Sequence, residues 1–265
     1  MNMITEVLRT KNSSLALIPF ITAGYPNIDT CIKALHVLDQ KGADIIELGL
    51  PYSDPLADGP VIQEASKVAL RQGIYIDQVL FILNKITPSL KAPVIIFTYY
   101  NPVLSRGVSR FIKEISQAGA QGIIIPDLPL EEVDDLIDLC SLFNLELILF
   151  VSPTSSQFRI RSILAKSPGC IYLVSSCGVT GIRQSISSQI NELAKSIKAK
   201  TSKLIILGFG ISTAEQVSRM TNWNIDGIVI GTAIINNMTS KSSVDAIASL
   251  SRFCKEIKSA IDTKI

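Results

Sequence analysis

The segment IIELGLPYSDPLADGP, residues 45–60, combines three carboxylates with an apolar run and a proline-rich loop. Glu47 lies among isoleucines and leucines, and Asp54 and Asp58 follow in the loop. An ionised carboxylate that leaves water without gaining partners costs several kcal/mol. The segment therefore contains either a structural glutamate bonded to its neighbours or a carboxyl group retained for proton transfer.

The alternation of side chains along a strand places Ile45, Glu47 and Gly49 on one face. If the other, fully apolar face packs against helices, Glu47 points into the interior of the fold. Apolar surroundings raise a carboxyl pKa toward neutrality, which suits a general acid or base. Asp58 also has a structural interpretation, because Asp-Gly-Pro before VIQEA is typical of a helix N-terminus.

Other catalytic chemistries find less support in the sequence. His36 is the only histidine and lies in a helical pattern, so we expect it to pack or to be solvated, and a zinc site is disfavoured. No lysine follows the C-terminal end of a predicted strand, which disfavours a Schiff-base aldolase. A magnesium site built from carboxylates alone stays open as an alternative. Its candidate ligands are Glu47, Asp54, Asp58 and Asp127.

The elements that position these side chains alternate along the chain. Eight runs rich in β-branched residues predict strands at Leu15–Ile21, Asp44–Leu50, Pro93–Tyr99, Gly122–Ile125, Glu146–Val151, Ile171–Ser175, Lys203–Gly208 and Gly227–Ile230. Segments with helical spacing separate them, and a long helical pattern closes the chain. This order indicates a (β/α)8 TIM barrel with a short extra N-terminal helix, rather than a doubly wound sheet. No linker divides the sequence, so we expect a single barrel domain over residues 1–265.

Residues just past the C-terminal ends of barrel strands line the active site of this fold. The loops after the last three predicted strands, SSCGVTG, GFGIS and GTA, are rich in glycine and hydroxyl groups. Such loops bring backbone N–H groups close to an anion, so a phosphate site and simple tight turns are both open interpretations. GFGIS lacks the third glycine of a dinucleotide fingerprint, which disfavours a nicotinamide cofactor.

The composition excludes several classes of function. The 25 basic and 23 acidic residues are scattered without a basic stripe, so we expect no nucleic-acid partner. No apolar stretch reaches the roughly 18 residues of a membrane span, and the N-terminus lacks a secretory signal core. The five cysteines form no CxxC pair and are typical of reduced, mostly buried thiols. We expect a cytoplasmic protein, or one of the plastid stroma if a plastid encodes it.

Seven motifs follow one another along the chain: PFITAGYP, ELGLPYSDPLADGPVIQ, YYNP, PDLP, YLVSSCGVTG, GFGIS and GTA. Together they resemble the tryptophan synthase alpha subunit family over essentially the whole chain, and the second motif is the most specific. The resemblance implies a TIM barrel lyase that cleaves indole-3-glycerol phosphate to indole and glyceraldehyde 3-phosphate.

The resemblance also implies roles for individual residues. Glu47 would protonate indole C3 and take the glycerol hydroxyl proton, and Asp58 would accept a hydrogen bond from the indole N–H. Tyr172 would lie beside Glu47, and Thr180 in a lid loop would meet Asp54. Contacts with the indole ring are implied for Phe20, Ile62, Phe97 and Ile124. Contacts with the phosphate are implied for Gly181, Gly210, Gly231 and Thr232.

A partner is implied as well. Members of the family bind a beta subunit that carries pyridoxal phosphate, usually as an αββα heterotetramer, and no cofactor is implied in this chain. Asn101 would face the partner. The chain departs from the family pattern at Tyr100 and Pro102, which flank Asn101, and also at Ser176 and Thr232. Two alternatives stay open: another phosphate-binding barrel that turns over a phosphoribosyl substrate, and a non-catalytic barrel that only activates the beta subunit.

Overall fold

The computed structural model describes residues 3–174, 183–208, 210–239 and 242–263. The strands form a closed barrel in which each strand lies parallel to its neighbours in chain order. They are β1 (Ala16–Thr22), β2 (Ile46–Gly49), β3 (Val94–Phe97), β4 (Gly122–Ile124), β5 (Glu146–Val151), β6 (Ile171–Val174), β7 (Ile205–Gly208) and β8 (Gly227–Ile230). This topology confirms the predicted (β/α)8 barrel.

Helices surround the barrel and connect its strands. They are α1 (Met3–Thr10), α2 (Ile28–Gln40), α3 (Pro60–Arg71), α4 (Ile76–Ile86), α5 (Tyr100–Arg106), α6 (Val108–Gln117), α7 (Val133–Leu142), α8 (Gln157–Lys166), α9 (Arg183–Lys198), α10 (Ala214–Met220), α11 (Thr232–Met238) and α12 (Ser243–Asp262). The short N-terminal helix is therefore confirmed as α1, and the long closing helix as α12. Helix pairs, rather than single helices, connect β2 to β3 and β3 to β4.

The predicted strands are confirmed in place, although some of their bounds shift by one or two residues. The second strand begins at Ile46 rather than at Asp44. Before it, the Asp44 carboxylate accepts hydrogen bonds from the Leu17 N–H at 2.8 Å and from Lys258 Nζ at 3.0 Å. Asp44 thus ties the start of this strand to β1 and α12.

Two apolar clusters divide the core into an outer layer and a barrel interior. Ile46 and Leu48 of β2 belong to the outer cluster, between the strands and the helices. Ile45 belongs to the interior cluster, and a Cβ built at Gly49 would lie 2.6 Å from Phe20 Cζ, also in the interior. Glu47 lies between these two interior positions with the same alternation, which confirms the predicted inward direction of its side chain.

The end of the barrel opposite the loops after the strands is closed by α1. Ile4 and Leu8 of this helix are fully buried in the interior cluster. Glu146 at the start of β5 is fully buried as well and accepts hydrogen bonds from the Thr5 N–H at 3.0 Å and the Thr5 hydroxyl at 2.6 Å. A carboxylate in this place binds the first turn of the helix and holds α1 against the barrel.

Four cysteines, Cys31, Cys140, Cys170 and Cys254, are buried and form no disulfide, as expected from the sequence. Cys177 lies outside the described residues. No helix within the described ranges is both long enough and apolar enough to cross a membrane.

Candidate active site

Glu47 lies on β2 between Phe20 of β1 and Ile95 of β3, and the residue is only 1% exposed. Its Oε2 atom makes no hydrogen bond within the part of the chain that the structure describes. Burial, and secondarily the negative charge of Asp58, raise the pKa of Glu47 from 4.5 to about 8. The carboxyl group is therefore mostly protonated near neutral pH and can donate a proton.

Glu146 shows what a structural glutamate looks like in the same barrel. Besides the two hydrogen bonds from Thr5, its carboxylate accepts the Cys170 N–H at 2.9 Å. Three donors thus satisfy Glu146, whereas none of the described residues donates a hydrogen bond to Glu47 Oε2. The structural interpretation that the sequence left open therefore fits Glu146 and does not fit Glu47.

Asp58 lies at the end of the loop after β2, directly before Gly59, which caps α3. The helix begins at Pro60 as predicted, but the Asp58 carboxylate accepts a hydrogen bond from the Tyr99 hydroxyl at 3.1 Å. Burial raises the pKa of Asp58 to about 6, and the bond from Tyr99 opposes that rise. Near pH 7 the site thus holds one protonated and one ionised carboxyl group, the division of roles that acid–base catalysis uses.

Apolar side chains wall the space around the two carboxyl groups. Phe20 and Phe97 meet edge to face with their ring centroids 5.7 Å apart. Ile124 and Tyr172 are buried members of the same interior cluster, and Ile62 packs against it while half-buried. A flat apolar substrate group suits such a wall, because aromatic rings bury much surface and prefer edge-to-face contacts.

Tyr172 lies on β6 beside Phe150 of β5, with ring centroids 4.8 Å apart. A Cβ built at Gly208 would lie 2.4 Å from Tyr172 Cε1. Only glycine at this position leaves room for the tyrosine ring. The glycine that ends β7 thus serves the packing of the site wall.

The loops after β7 and β8 lead into short helices, as expected from the sequence. Thr213 caps α10, and Gly231 caps α11, which begins at Thr232. A Cβ built at Gly231 would lie 3.3 Å from Ile62 Cδ1, so this loop borders the apolar wall. No described atom lies within 4 Å of a Cβ built at Gly210, which faces open space. The phosphate contacts themselves stay a prediction.

Comparison with known proteins shows the family of the chain and supports the barrel fold. The family model described as tryptophan synthase alpha chain matches residues 7–262. The chain belongs to this family.

Relatives within the tryptophan synthase alpha chain family are similar over their whole length. The chain is 66% identical to that of Gracilaria tenuistipitata var. liui, covering 99% of this chain and 98% of the relative. It is 56% identical to that of Antithamnion sp., covering 98% and 99%. Among solved structures, the tryptophan synthase a2b2 complex from Pyrococcus furiosus contains a chain that matches with a TM-score of 0.86 and 30% identity, covering 93% and 98%.

Family membership establishes the activity. Tryptophan synthase alpha chains cleave indole-3-glycerol phosphate to indole and glyceraldehyde 3-phosphate, so the chain is a carbon–carbon lyase of tryptophan biosynthesis. A barrel interior with an apolar wall and two carboxyl groups of different pKa is compatible with this reaction.

The remaining predicted residues lie on the rim of the barrel or outside the described residues. Asp54 and Asn101 are exposed, and Asn101 Nδ2 donates to the Tyr52 hydroxyl at 3.3 Å. Thr180 and Gly181 lie outside the described residues.

The carboxylate magnesium site gains no support from the geometry. Within the described ranges no three His, Cys, Asp or Glu side chains are grouped to hold a metal ion. Asp127 instead accepts the Tyr100 N–H at 2.8 Å, where α5 begins.

Tyr99 follows the third strand, where side chains line the site, but the sequence interpretation assigned it no role. It is 2% exposed and binds Asp58 directly. The alternation that directs Ile95 and Phe97 into the interior continues for one more step past the end of β3, to Tyr99. That continuation was the available signal.

Proposed function

We propose that Glu47 and Asp58 together perform the lyase reaction in the mouth of the barrel. The observation that supports this most strongly is the pair of unequal carboxyl groups, with a pKa of about 8 for Glu47 and about 6 for Asp58. Between these values Glu47 holds a proton and Asp58 is ionised. The reaction needs both groups. An acid must protonate a carbon atom, and an anion must stabilise the positive charge that then forms on the ring.

The proposed sequence begins with proton transfer from the Glu47 carboxyl group to C3 of the indole ring. This forms an indoleninium cation, whose N–H donates to the Asp58 carboxylate. The Glu47 carboxylate then takes the proton of the hydroxyl group on the carbon attached to C3. As that carbon becomes an aldehyde, the carbon–carbon bond breaks and its electron pair returns to the ring. Glu47 ends protonated, as it began, and the products are indole and glyceraldehyde 3-phosphate.

Electrostatic stabilisation explains why Asp58 is needed as well as Glu47. The positive charge develops on the ring nitrogen only after C3 is protonated, so an anion there binds the intermediate more tightly than the substrate. A single such interaction is typically worth about 3–4 kcal/mol of barrier.

Substrate binding divides between the apolar wall and the glycine loops. We assign the indole ring to the wall formed by Phe20, Ile62, Phe97, Ile124 and Tyr172. The phosphate is assigned to the backbone N–H groups of Gly181, Gly210 and Gly231 and to Thr232. We further propose that Thr180 meets Asp54 when a lid closes over the substrate.

We also propose that the chain, a single barrel domain over residues 1–265, works with a tryptophan synthase beta subunit in an αββα assembly. The matched Pyrococcus furiosus structure is described as a mutually activating a2b2 complex, which supports this partner. Pyridoxal phosphate would belong to the beta subunit. Asn101 of this chain would contact the beta subunit itself. The relatives from red algae favour a plastid stroma or a cytoplasm as the compartment.

The experiment that tests this function measures release of glyceraldehyde 3-phosphate from indole-3-glycerol phosphate by the purified chain, through a coupled dehydrogenase. It is run with and without a cognate beta subunit, and in parallel with a phosphoribosyl substrate as the comparison compound. We expect slow cleavage of indole-3-glycerol phosphate that rises when the partner is added. Turnover of the phosphoribosyl compound is followed by its own product, because such a reaction releases no glyceraldehyde 3-phosphate. Folded protein that turns over only the phosphoribosyl compound, or neither compound, would overturn the proposal.

A further inference from the structure

The Tyr99 hydroxyl bonds to two consecutive residues of the loop after β2. It accepts the Ala57 N–H at 3.0 Å and donates to Asp58 Oδ2 at 3.1 Å. Both partners lie in the loop, whereas Tyr99 follows β3 and is 2% exposed. The rigid barrel thus holds the loop through one hydroxyl group, immediately beside the carboxylate.

Aromatic neighbours fix the Tyr99 ring on two sides. Phe97 meets it edge to face from the interior, with centroids 6.1 Å apart. Tyr52 stacks on it from the rim, with centroids 5.1 Å apart and ring planes inclined by 29°. Such aromatic pairs are favourable beyond the area they bury, and they leave the hydroxyl little freedom to turn away from Asp58.

We propose that Tyr99 is a positioning residue for Asp58, and that Tyr52 holds Tyr99 in place from the rim. Tyr99 orients the carboxylate toward the ring nitrogen of the substrate and favours its ionised form. The inference rests on the proposed role of Asp58 and extends it to two residues with no assigned role in the reaction.

The charges around Asp58 support this role. Among the described residues, Glu47 and Tyr99 are the titratable groups that interact with Asp58, and Asp127 interacts electrostatically with Tyr99. Burial and the nearby carboxylates raise the pKa of Tyr99, so its hydroxyl stays protonated and donates throughout the working pH range. A hydrogen bond to the ionised form of a carboxyl group lowers its pKa. Loss of this bond should therefore raise the pKa of Asp58.

The test is the pH profile of kcat for the Tyr99→Phe variant of the full chain. A hydrogen bond to a charged group is stronger than one between neutral groups, so we expect kcat to fall on the order of tenfold to a hundredfold. The acid limb should move to higher pH by about one unit, while the alkaline limb, which belongs to Glu47, stays in place. A purely structural role for Tyr99 would lower activity without moving one limb selectively.

Tyr25→Phe is the matched control. Tyr25 is also buried, and its hydroxyl bonds to the Thr239 hydroxyl at 3.0 Å, away from both carboxyl groups. We expect a comparable loss of thermal stability and both pH limbs unmoved. An acid limb that moves equally in the two variants would overturn the assignment, as would a Tyr99→Phe profile identical to that of the unmodified chain.

Substitutions at Tyr52 test the second part, and they keep the proposal testable if Tyr99→Phe does not fold. Tyr52→Ala removes the stacked ring and should lower kcat and move the acid limb in the same direction, by less. Tyr52→Phe keeps the ring and loses only the bond from Asn101. Its acid limb should therefore lie at the same pH as that of the unmodified chain. Equal behaviour of the two Tyr52 variants would contradict a role through stacking. If the unmodified chain itself cleaves no substrate, the proposed function fails rather than this inference.

Discussion

Replacing Glu47 by glutamine should stabilise the fold, and the gain should grow with pH. The pKa of Glu47 rises from 4.5 to about 8 on folding, chiefly because the side chain is buried. Between these values the unfolded chain releases the proton while the folded chain keeps it. The folded state then binds more protons, so stability falls as pH rises, until it levels off above the folded pKa. Glutamine does not titrate and is free of this penalty.

The size of the gain in stability follows from the shift in the pKa of Glu47. One pKa unit corresponds to 1.36 kcal/mol, so the penalty from Glu47 is about 3 kcal/mol at pH 7, about 4 kcal/mol at pH 8 and below about 1 kcal/mol at pH 5. In a chain of this size each kcal/mol moves the melting temperature by roughly 2–4 °C. The difference in melting temperature between Glu47→Gln and the unmodified chain should therefore be about 6–12 °C larger at pH 8 than at pH 5.

The assay is thermal unfolding followed by circular dichroism at several pH values and constant ionic strength. Glu146→Gln is the control, because the Glu146 carboxylate is satisfied by donors from Thr5 and Cys170. The amide would set an NH2 group against one of those donors and lower stability by about 1–3 kcal/mol. If the difference in melting temperature between Glu47→Gln and the unmodified chain stays constant from pH 5 to pH 8, burial does not raise the pKa of Glu47.

Three further predictions concern activity. The pH profile of kcat/KM, which reports ionisations of the free enzyme, should be bell-shaped with limbs near 6 and 8, from Asp58 and Glu47. Activity at pH 5 or 9 should be about a tenth of the maximum. Free phosphate monoesters also ionise near pH 6, so the titration of the substrate is measured alongside, and a flat profile from 5 to 9 would contradict the prediction. Gly49→Ala should raise KM, because the new Cβ would lie 2.6 Å from Phe20 Cζ and displace that ring; steady-state kinetics checks this, and an unchanged KM would count against Phe20 as a substrate contact. Thr232→Val should raise KM and the inhibition constant of inorganic phosphate in parallel, on the order of tenfold, whereas unchanged phosphate inhibition would remove Thr232 from the phosphate site.

Much of the fold was predictable because the sequence pattern and the barrel topology agree. Eight β-branched runs appear as eight strands, and the alternation in residues 45–50 correctly directs Glu47 inward. Strand bounds were less predictable, since β-branched runs extend past the residues that pair, as at Asp44 and Ile45 before β2. The helix pairs α3–α4 and α5–α6 were not predicted, since the regular strand–helix alternation of this barrel implies one helix for each connection.

The site was predictable in its residue types and less so in its contacts. Glu47 and Glu146 are both glutamates in apolar strands. Only the three-dimensional structure shows that donors satisfy Glu146, while no described donor reaches Glu47 Oε2. The bond between Tyr99 and Asp58 joins residues on different strand–loop units. Its formation depends on how those units meet, which no local pattern records.

The most direct test of the account compares lyase turnover of the unmodified chain, Glu47→Gln and Glu146→Gln, each with the beta subunit present. Both substitutions replace a buried glutamate by its amide, but only the first removes the proposed proton donor. We expect no detectable glyceraldehyde 3-phosphate from Glu47→Gln, although this variant should still bind the beta subunit. We expect near-normal kcat from folded Glu146→Gln. Turnover retained by Glu47→Gln would contradict the central role given to that carboxyl group.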